Sequence, residues 1–338
     1  MTGMDANRTY VESLYQAVFR RAPRVDELEH WTAVLDKGYD PRQLLELFFA
    51  TEEFKQIARR PQTMFVPPGH FYSPIVDVDK VRERYGELQP NVAPPAIAID
   101  GARMRRTWSE LLPFLRDIPF PEDPQPPWRY YFRNPAFGHG DGSLLHAMLR
   151  RYRPRRLVEV GSGYSSACSI DTIDHYLDGA VDVSFVEPYP ALLLKTLGKE
   201  KASQYTIHAS GAQDTSMEVF ERLEAGDFLF IDSTHVMKTG SDVCHELFKV
   251  LPALQPGVFI HFHDIFWPFE YLPSWIVNEN RSWNEIYGMR AFLMYNNAFE
   301  IVFFNDYFAR NHRDLIAADY PAMLENTGGS LWLRKTGS

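Results

Sequence analysis

From residue 156 onward short apolar runs alternate with amphipathic stretches, and few architectures tolerate that pattern. The runs Arg156–Val160, Val181–Glu187, Tyr205–His208, Phe228–Asp232 and Val258–His263 read as strands. Their apolar character is nearly continuous, as in strands covered on both faces. The intervening stretches Tyr164–Leu177, Pro190–Leu197, Thr215–Leu223 and Lys238–Leu251 read as helices. Such alternation builds an α/β fold, a doubly wound and mostly parallel sheet. Two more strands, Glu300–Phe304 and Ser330–Arg334, bring the count to seven.

The residues before this domain follow other rules. Val11, Leu14, Tyr15, Val18 and Phe19 recur at three- and four-residue spacing, one helical stripe that Ala22-Pro23 ends. Leu28, Trp31, Val34 and Leu35 form a second stripe up to Gly38, Pro41 starts a third through Leu44 and Phe48, and Thr51–Phe54 opens a short fourth. Residues 1–62 are therefore expected to be a small all-α domain. Tyr15, Phe19–Pro23, Leu28, Trp31 and Thr51–Phe54 resemble a helical domain of unknown function, similar to phycobilisome linker domains. That resemblance implies packing or protein docking, and no residue here proposes chemistry. Residues 63–135 are proline-rich, which disfavours long regular elements. They are expected to form a connector and lid, anchored by His70-Phe71-Tyr72 and Trp128–Phe132, that leads into the domain of residues 136–338.

Composition removes several function classes. The formal charge of −9 opposes broad nucleic-acid binding, which needs an excess of Lys and Arg. The one basic cluster, Arg150 to Arg156, reads as a solvated turn before a strand. No window approaches the length of a membrane span, and Met1–Tyr10 does not read as a secretory signal. Cys168 and Cys244 make no disulfide framework, so a reduced, cytoplasmic setting is expected.

In a doubly wound sheet the ligand lies beyond the carboxyl ends of the strands, where strand order reverses. The first strand ends in Glu159-Val160-Gly161-Ser162-Gly163, and Gly161 and Gly163 allow the backbone close to a ligand. The second ends at Glu187, a carboxylate suited to gripping both hydroxyls of a ribose. A dinucleotide fingerprint needs a third glycine where this chain has Ser166. S-adenosylmethionine carries no pyrophosphate and removes that need, and its cationic amino acid portion favours an acid such as Glu159.

These residues, with Glu187-Pro188-Tyr189, Gly211-Ala212-Gln213-Asp214 and Phe230-Ile231-Asp232, resemble the successive motifs of class I S-adenosylmethionine-dependent methyltransferases. The resemblance implies a Rossmann-like sheet closed by an antiparallel terminal hairpin. It also implies Glu187 on the ribose and Ala212 and Gln213 at the adenine, with Tyr189 packed on that ring. From about residue 65 to the end, segments such as Asp232-Ser233-Thr234-His235 and His261–Phe266 are similar to a family of bacterial methyltransferases often associated with polysaccharide or natural-product synthesis.

The fourth and fifth strands end in Asp232-Ser233-Thr234-His235 and His261-Phe262-His263-Asp264, so Asp232, His235, His263 and Asp264 are expected to meet at one pocket. Methyl transfer to a hydroxyl needs a base, and a histidine suits that role. Similarity to macrolide-sugar O-methyltransferases puts the base at His235. Catechol-type enzymes hold a divalent ion through an Asp and an Asp-Asn pair, and Ile265 replaces that Asn here. The candidate ligands are Asp232, His263 and Asp264, for Mg²⁺ or, with a His ligand, Mn²⁺, Fe²⁺ or Zn²⁺. His261 is expected to be structural. The aromatic loop containing Trp267 is expected to contact a small-molecule or glycan acceptor, with His70 and Tyr72 folding over it. The leading expectation is O-methylation of a saccharide or secondary-metabolite hydroxyl. The alternatives are a non-catalytic scaffold and a metal-dependent hydroxylase or hydrolase on the same fold.

Overall fold

The computed structural model describes residues 3–19, 21–58, 65–88 and 92–337. They fall into two compact units, Met1–Ile75 and Val76–Ser338. The expected boundary between 62 and 63 lies outside the described residues.

The first unit contains α1 (Gly3–Phe19), α2 (Val25–Asp36), α3 (Pro41–Ala50) and α4 (Glu52–Ala58). The stripes seen in the sequence meet in one small core of Val11, Tyr15, Phe19, Leu28, Leu44 and Phe48. Asp40 caps α3 by accepting from the Arg42 amide, with Pro41 opening the helix. Arg21 joins α2 to α4, reaching Glu27 at 2.8 Å and Glu53 at 2.7 Å.

The second unit is built on a seven-stranded sheet in the order β3-β2-β1-β4-β5-β7-β6. The strands are β1 (Arg156–Val160), β2 (Asp182–Val186), β3 (Thr206–His208), β4 (Phe228–Ile231), β5 (Phe259–Phe262), β6 (Phe299–Phe304) and β7 (Leu331–Lys335). β1 to β5 run parallel, whereas β7 runs antiparallel to both β5 and β6. This is the class I methyltransferase fold, terminal hairpin included. Strand order reverses at β1, so the carboxyl ends of β1, β2, β4 and β5 converge there.

Two expectations are corrected. Residues 76–135 are not an extended connector: they belong to the second unit and contain α5 (Val78–Leu88) and α6 (Gly101–Leu115). α6 buries Met104, Trp108, Leu111 and Leu115 at helical spacing, and Asp100 caps it through the Arg103 amide. Trp128–Phe132 is anchored as expected, because Asp171 accepts from the Arg129 and Tyr130 amides at 2.7 and 2.9 Å. The helix after β3, Glu218–Glu221, is shorter than expected. The one after β4 starts four residues later than expected, at Asp242, and runs through a π-helical turn, Glu246–Val250, to Ala253. No helix among the described residues is long and apolar enough to cross a membrane.

Candidate active site at the strand ends

Gly161 brings the strand ends together. It has φ +74°, and a Cβ there would lie 1.9 Å from the Asp232 carbonyl oxygen. Only glycine lets the turn after β1 pass this close to the end of β4. The next amide, Ser162 N–H, donates to Glu187 Oε2 at 3.0 Å, and the Tyr189 amide donates to Oε1 at 2.7 Å. Glu187 thus faces the turn, as expected.

A cavity of about 480 Å³ opens here, lined by Gly161, Glu187, Tyr189, Ala212, Gln213 and Asp232 among others. Thr234 and Asp242 also line it and were not anticipated; the Thr234 amide and hydroxyl both bond the Asp242 carboxylate. The Tyr189 ring is 83% exposed, open to a planar partner.

Three residues expected at the cofactor do not line this cavity. Glu159 is fully buried, and its Oε1 accepts from the Ser165 and Ser166 hydroxyls at 2.6 and 2.9 Å. Burial pushes this carboxyl up to about 8. It is a neutral acid pinning the start of the helix Tyr164–Tyr176, not a group facing a cationic ligand. Ser162 contributes its amide to Glu187, and the Gly163 amide donates to Ser166 Oγ at 3.0 Å.

The ends of β4 and β5 deliver the acidic cluster. His235 is buried, with Nε2 3.3 Å from Asp232 Oδ1 and 3.6 Å from Asp264 Oδ2. Its Nδ1 donates to Glu285 Oε2 at 2.7 Å. Burial opposes a charge on the ring, but Asp232 and Glu285 outweigh it and raise the imidazole well above its ordinary range. His235 (φ +59°) and Asp264 (φ +58°) both adopt the left-handed backbone region. Such conformations cost about 1–2 kcal/mol per residue and persist where the surroundings hold them. The amides of Asn284 and Glu285 do so for His235, each donating to its carbonyl at 3.1 Å.

The other histidines divide as expected. His261 stacks on Phe230 at 4.0 Å, and burial drives it well below its ordinary range. It is a neutral core residue. His263 sits beside Asp264, 3.5 Å from Nε2 to Oδ1, and its Nδ1 is buried without a hydrogen-bond partner among the described residues. Burial disfavours its charge, but Asp264, Asp232 and Asp141 prevail and raise it to about 9.

Asp232, His235 and Asp264 bring one donor atom each within 4.8 Å of one another. Two carboxylates and an imidazole suit Mg²⁺ or Mn²⁺. The third donor is His235 rather than the expected His263.

On the far side of Asp264 lies a second cavity of about 270 Å³, lined by His263, Asp264, Phe266, Trp275, Asn134 and Asn326 among others. Trp267, expected in the acceptor pocket, does not line it. Its ring is buried in the core 4.8 Å from Tyr307 and 6.2 Å from Phe304. Trp275, eight positions on in the same aromatic run, is the tryptophan on the wall. His70 and Tyr72 belong to the first unit.

Residues 158–265 match the methyltransferase-domain family, and residues 3–57 match a domain of unknown function (DUF4214). An uncharacterised protein of Archaeoglobus fulgidus is 30% identical over 163 residues, covering 47% of this chain and 73% of that protein. Among solved structures, the chain is similar to a Podospora anserina methyltransferase with bound S-adenosylhomocysteine (14% identity, 76% of this chain and 96% of that one, TM-score 0.38). It is also similar to the O-methyltransferase TomG of Streptomyces achromogenes, which acts in tomaymycin synthesis (15% identity, 72% and 93%, TM-score 0.37).

Proposed function

We propose, for a chain that belongs to the class I S-adenosylmethionine-dependent methyltransferases, that it methylates a hydroxyl group of a small-molecule or glycan acceptor. The observation that carries this reading is the position of His235 Nε2. It lies between Asp232, which lines the larger cavity, and Asp264, which lines the smaller one. One cavity then serves the methyl donor and the other the acceptor.

The larger cavity fits S-adenosylmethionine. Glu187, already oriented by two amides, is set to accept from the ribose hydroxyls, and Ala212 and Gln213 flank the adenine with Tyr189 on its face. Bound there, the cofactor supplies an electrophilic methyl group on a sulfonium. The protein's task is to hold a hydroxyl in line with that methyl and to remove its proton.

His235 is not a free base in the resting protein, because the carboxylates around it favour its charged form. The donor set supports a second role, in which Asp232, His235 Nε2 and Asp264 hold a divalent cation. A cation held there would offset both carboxylates and make a nearby hydroxyl more acidic. His263, on the wall of the smaller cavity, would lose the charge that Asp264 and Asp232 hold on it once a cation offset them, and would then take the hydroxyl proton. Trp275 and Phe266 offer faces for a sugar or aromatic ring.

Calorimetric titration with S-adenosylhomocysteine is expected to give one site per chain. Release of S-adenosylhomocysteine from S-adenosylmethionine is expected only with a hydroxyl acceptor, and to fall when Mn²⁺ or Mg²⁺ is chelated. No calorimetric heat would favour a scaffold role. Metal-dependent turnover without the cofactor would favour a hydroxylase or hydrolase.

A further inference from the structure

Behind the cluster lies a second layer of buried acid. Glu285 is 1% exposed, with Oε2 at 2.7 Å from His235 Nδ1 and Oε1 without a partner among the described residues. It opens the helix Glu285–Leu293, and its amide donates to the carbonyl of the same histidine. Glu285 therefore grips His235 at both ring and backbone. Next to it, in the π-helical turn, Glu246 is fully buried; Oε2 accepts from Ser233 Oγ at 3.0 Å and Oε1 has no partner among the described residues.

Three carboxylates face one imidazole, Glu285 1% exposed and the Asp264 and Asp232 side chains 16% and 32% exposed, a concentration of negative charge that is costly unless cations answer it. The imidazoliums of His235 and His263 together answer only part of it. A carboxylate on the far nitrogen also decides which ring nitrogen works. With Nδ1–H committed to Glu285, the Nε2 lone pair of the neutral ring points at Asp232 and Asp264. A metal-bound histidine is oriented by an outer hydrogen-bond acceptor in the same manner.

We propose that Glu285 is a positioning residue that makes His235 Nε2 a ligand for a divalent cation shared with Asp232 and Asp264. This rests on the reading of the cluster as a cation site. Mn²⁺ serves as the probe, since its binding to the full chain can be followed by electron paramagnetic resonance without any acceptor.

The wild-type chain is expected to bind one Mn²⁺ at the cluster, and Asp264→Asn to lose it. Glu285→Gln, which keeps the size and removes the charge, is expected to weaken Mn²⁺ binding about 10–100-fold. Its affinity for S-adenosylhomocysteine should stay at the wild-type level, a split that general unfolding would not give. Glu285→Asp, which keeps the charge, should recover part of the loss and covers the case in which Glu285→Gln does not fold. If both Glu285 variants bind Mn²⁺ like wild type while Asp264→Asn does not, the role of Glu285 is overturned and the cation site stands. If the wild-type chain binds no Mn²⁺, both are overturned.

Discussion

The Ser162 amide donates to Glu187 Oε2 at 3.0 Å, so the turn after β1 and the end of β2 form one rigid wall of the larger cavity. Glu187→Ala removes both this contact and the proposed grip on the ribose. Hydrogen bonds to a charged group contribute about 1.5–3 kcal/mol. Affinity for S-adenosylhomocysteine, measured by calorimetry, should fall roughly 10–100-fold, with the thermal midpoint lowered only slightly.

Gly161 and Gly163 should respond differently to alanine. At Gly161 the backbone is left-handed and the new Cβ would overlap the Asp232 carbonyl. Gly161→Ala should therefore cost about 2–5 kcal/mol by thermal or chemical denaturation and weaken cofactor binding. Gly163 has an extended backbone, and its Cβ would approach only the Leu192 side chain, at 3.2 Å. Gly163→Ala should stay within about 1 kcal/mol of wild type.

Glu159 makes stability depend on pH. Its folded-state pKa of about 8 lies above the ~4.3 of an exposed glutamate, so the native state binds the proton more tightly. The resulting stability is complete below ~4.3 and is lost as pH rises through 8. Glu159→Gln keeps an acceptor for Ser165 and Ser166 and cannot ionise. Denaturation midpoints of variant and wild type should agree near pH 4.5 and diverge towards pH 8, where the variant is the more stable by ~5 kcal/mol.

The two tryptophans of the aromatic loop should separate stability from recognition. Trp267→Ala empties a core site and should cost about 3–5 kcal/mol of stability. Trp275→Ala, on the smaller cavity, should raise the acceptor KM with a much smaller change in thermal midpoint.

The sheet was legible because strand ends leave local marks: the five parallel strands fall within one residue of the expected bounds at each end. Glu187 facing Gly161 followed from those ends. α6 was hidden in proline-rich sequence, although Met104, Trp108, Leu111 and Leu115 carry its period. Glu285 was out of reach for another reason. It lies fifty residues beyond His235, on a helix with no motif of its own, and only the tertiary fold brings the two together. His263 was placed correctly beside Asp264, but alternation along β5 cannot say that the loop after β4 turns the His235 ring into the gap between the carboxylates. Burial likewise separated Glu159 from the cavity, and adjacency to Gly161 gave no warning of it.

A crystal structure of the chain with S-adenosylhomocysteine would test the proposed division of the site into two cavities. The expected density has the ribose hydroxyls on Glu187, the adenine beside Ala212 and Gln213, and the thioether sulfur directed towards Asp232, with the cavity at Trp275 left free. Density that leaves Glu187 without a ribose contact, or that fills the Trp275 cavity with the cofactor, would contradict it.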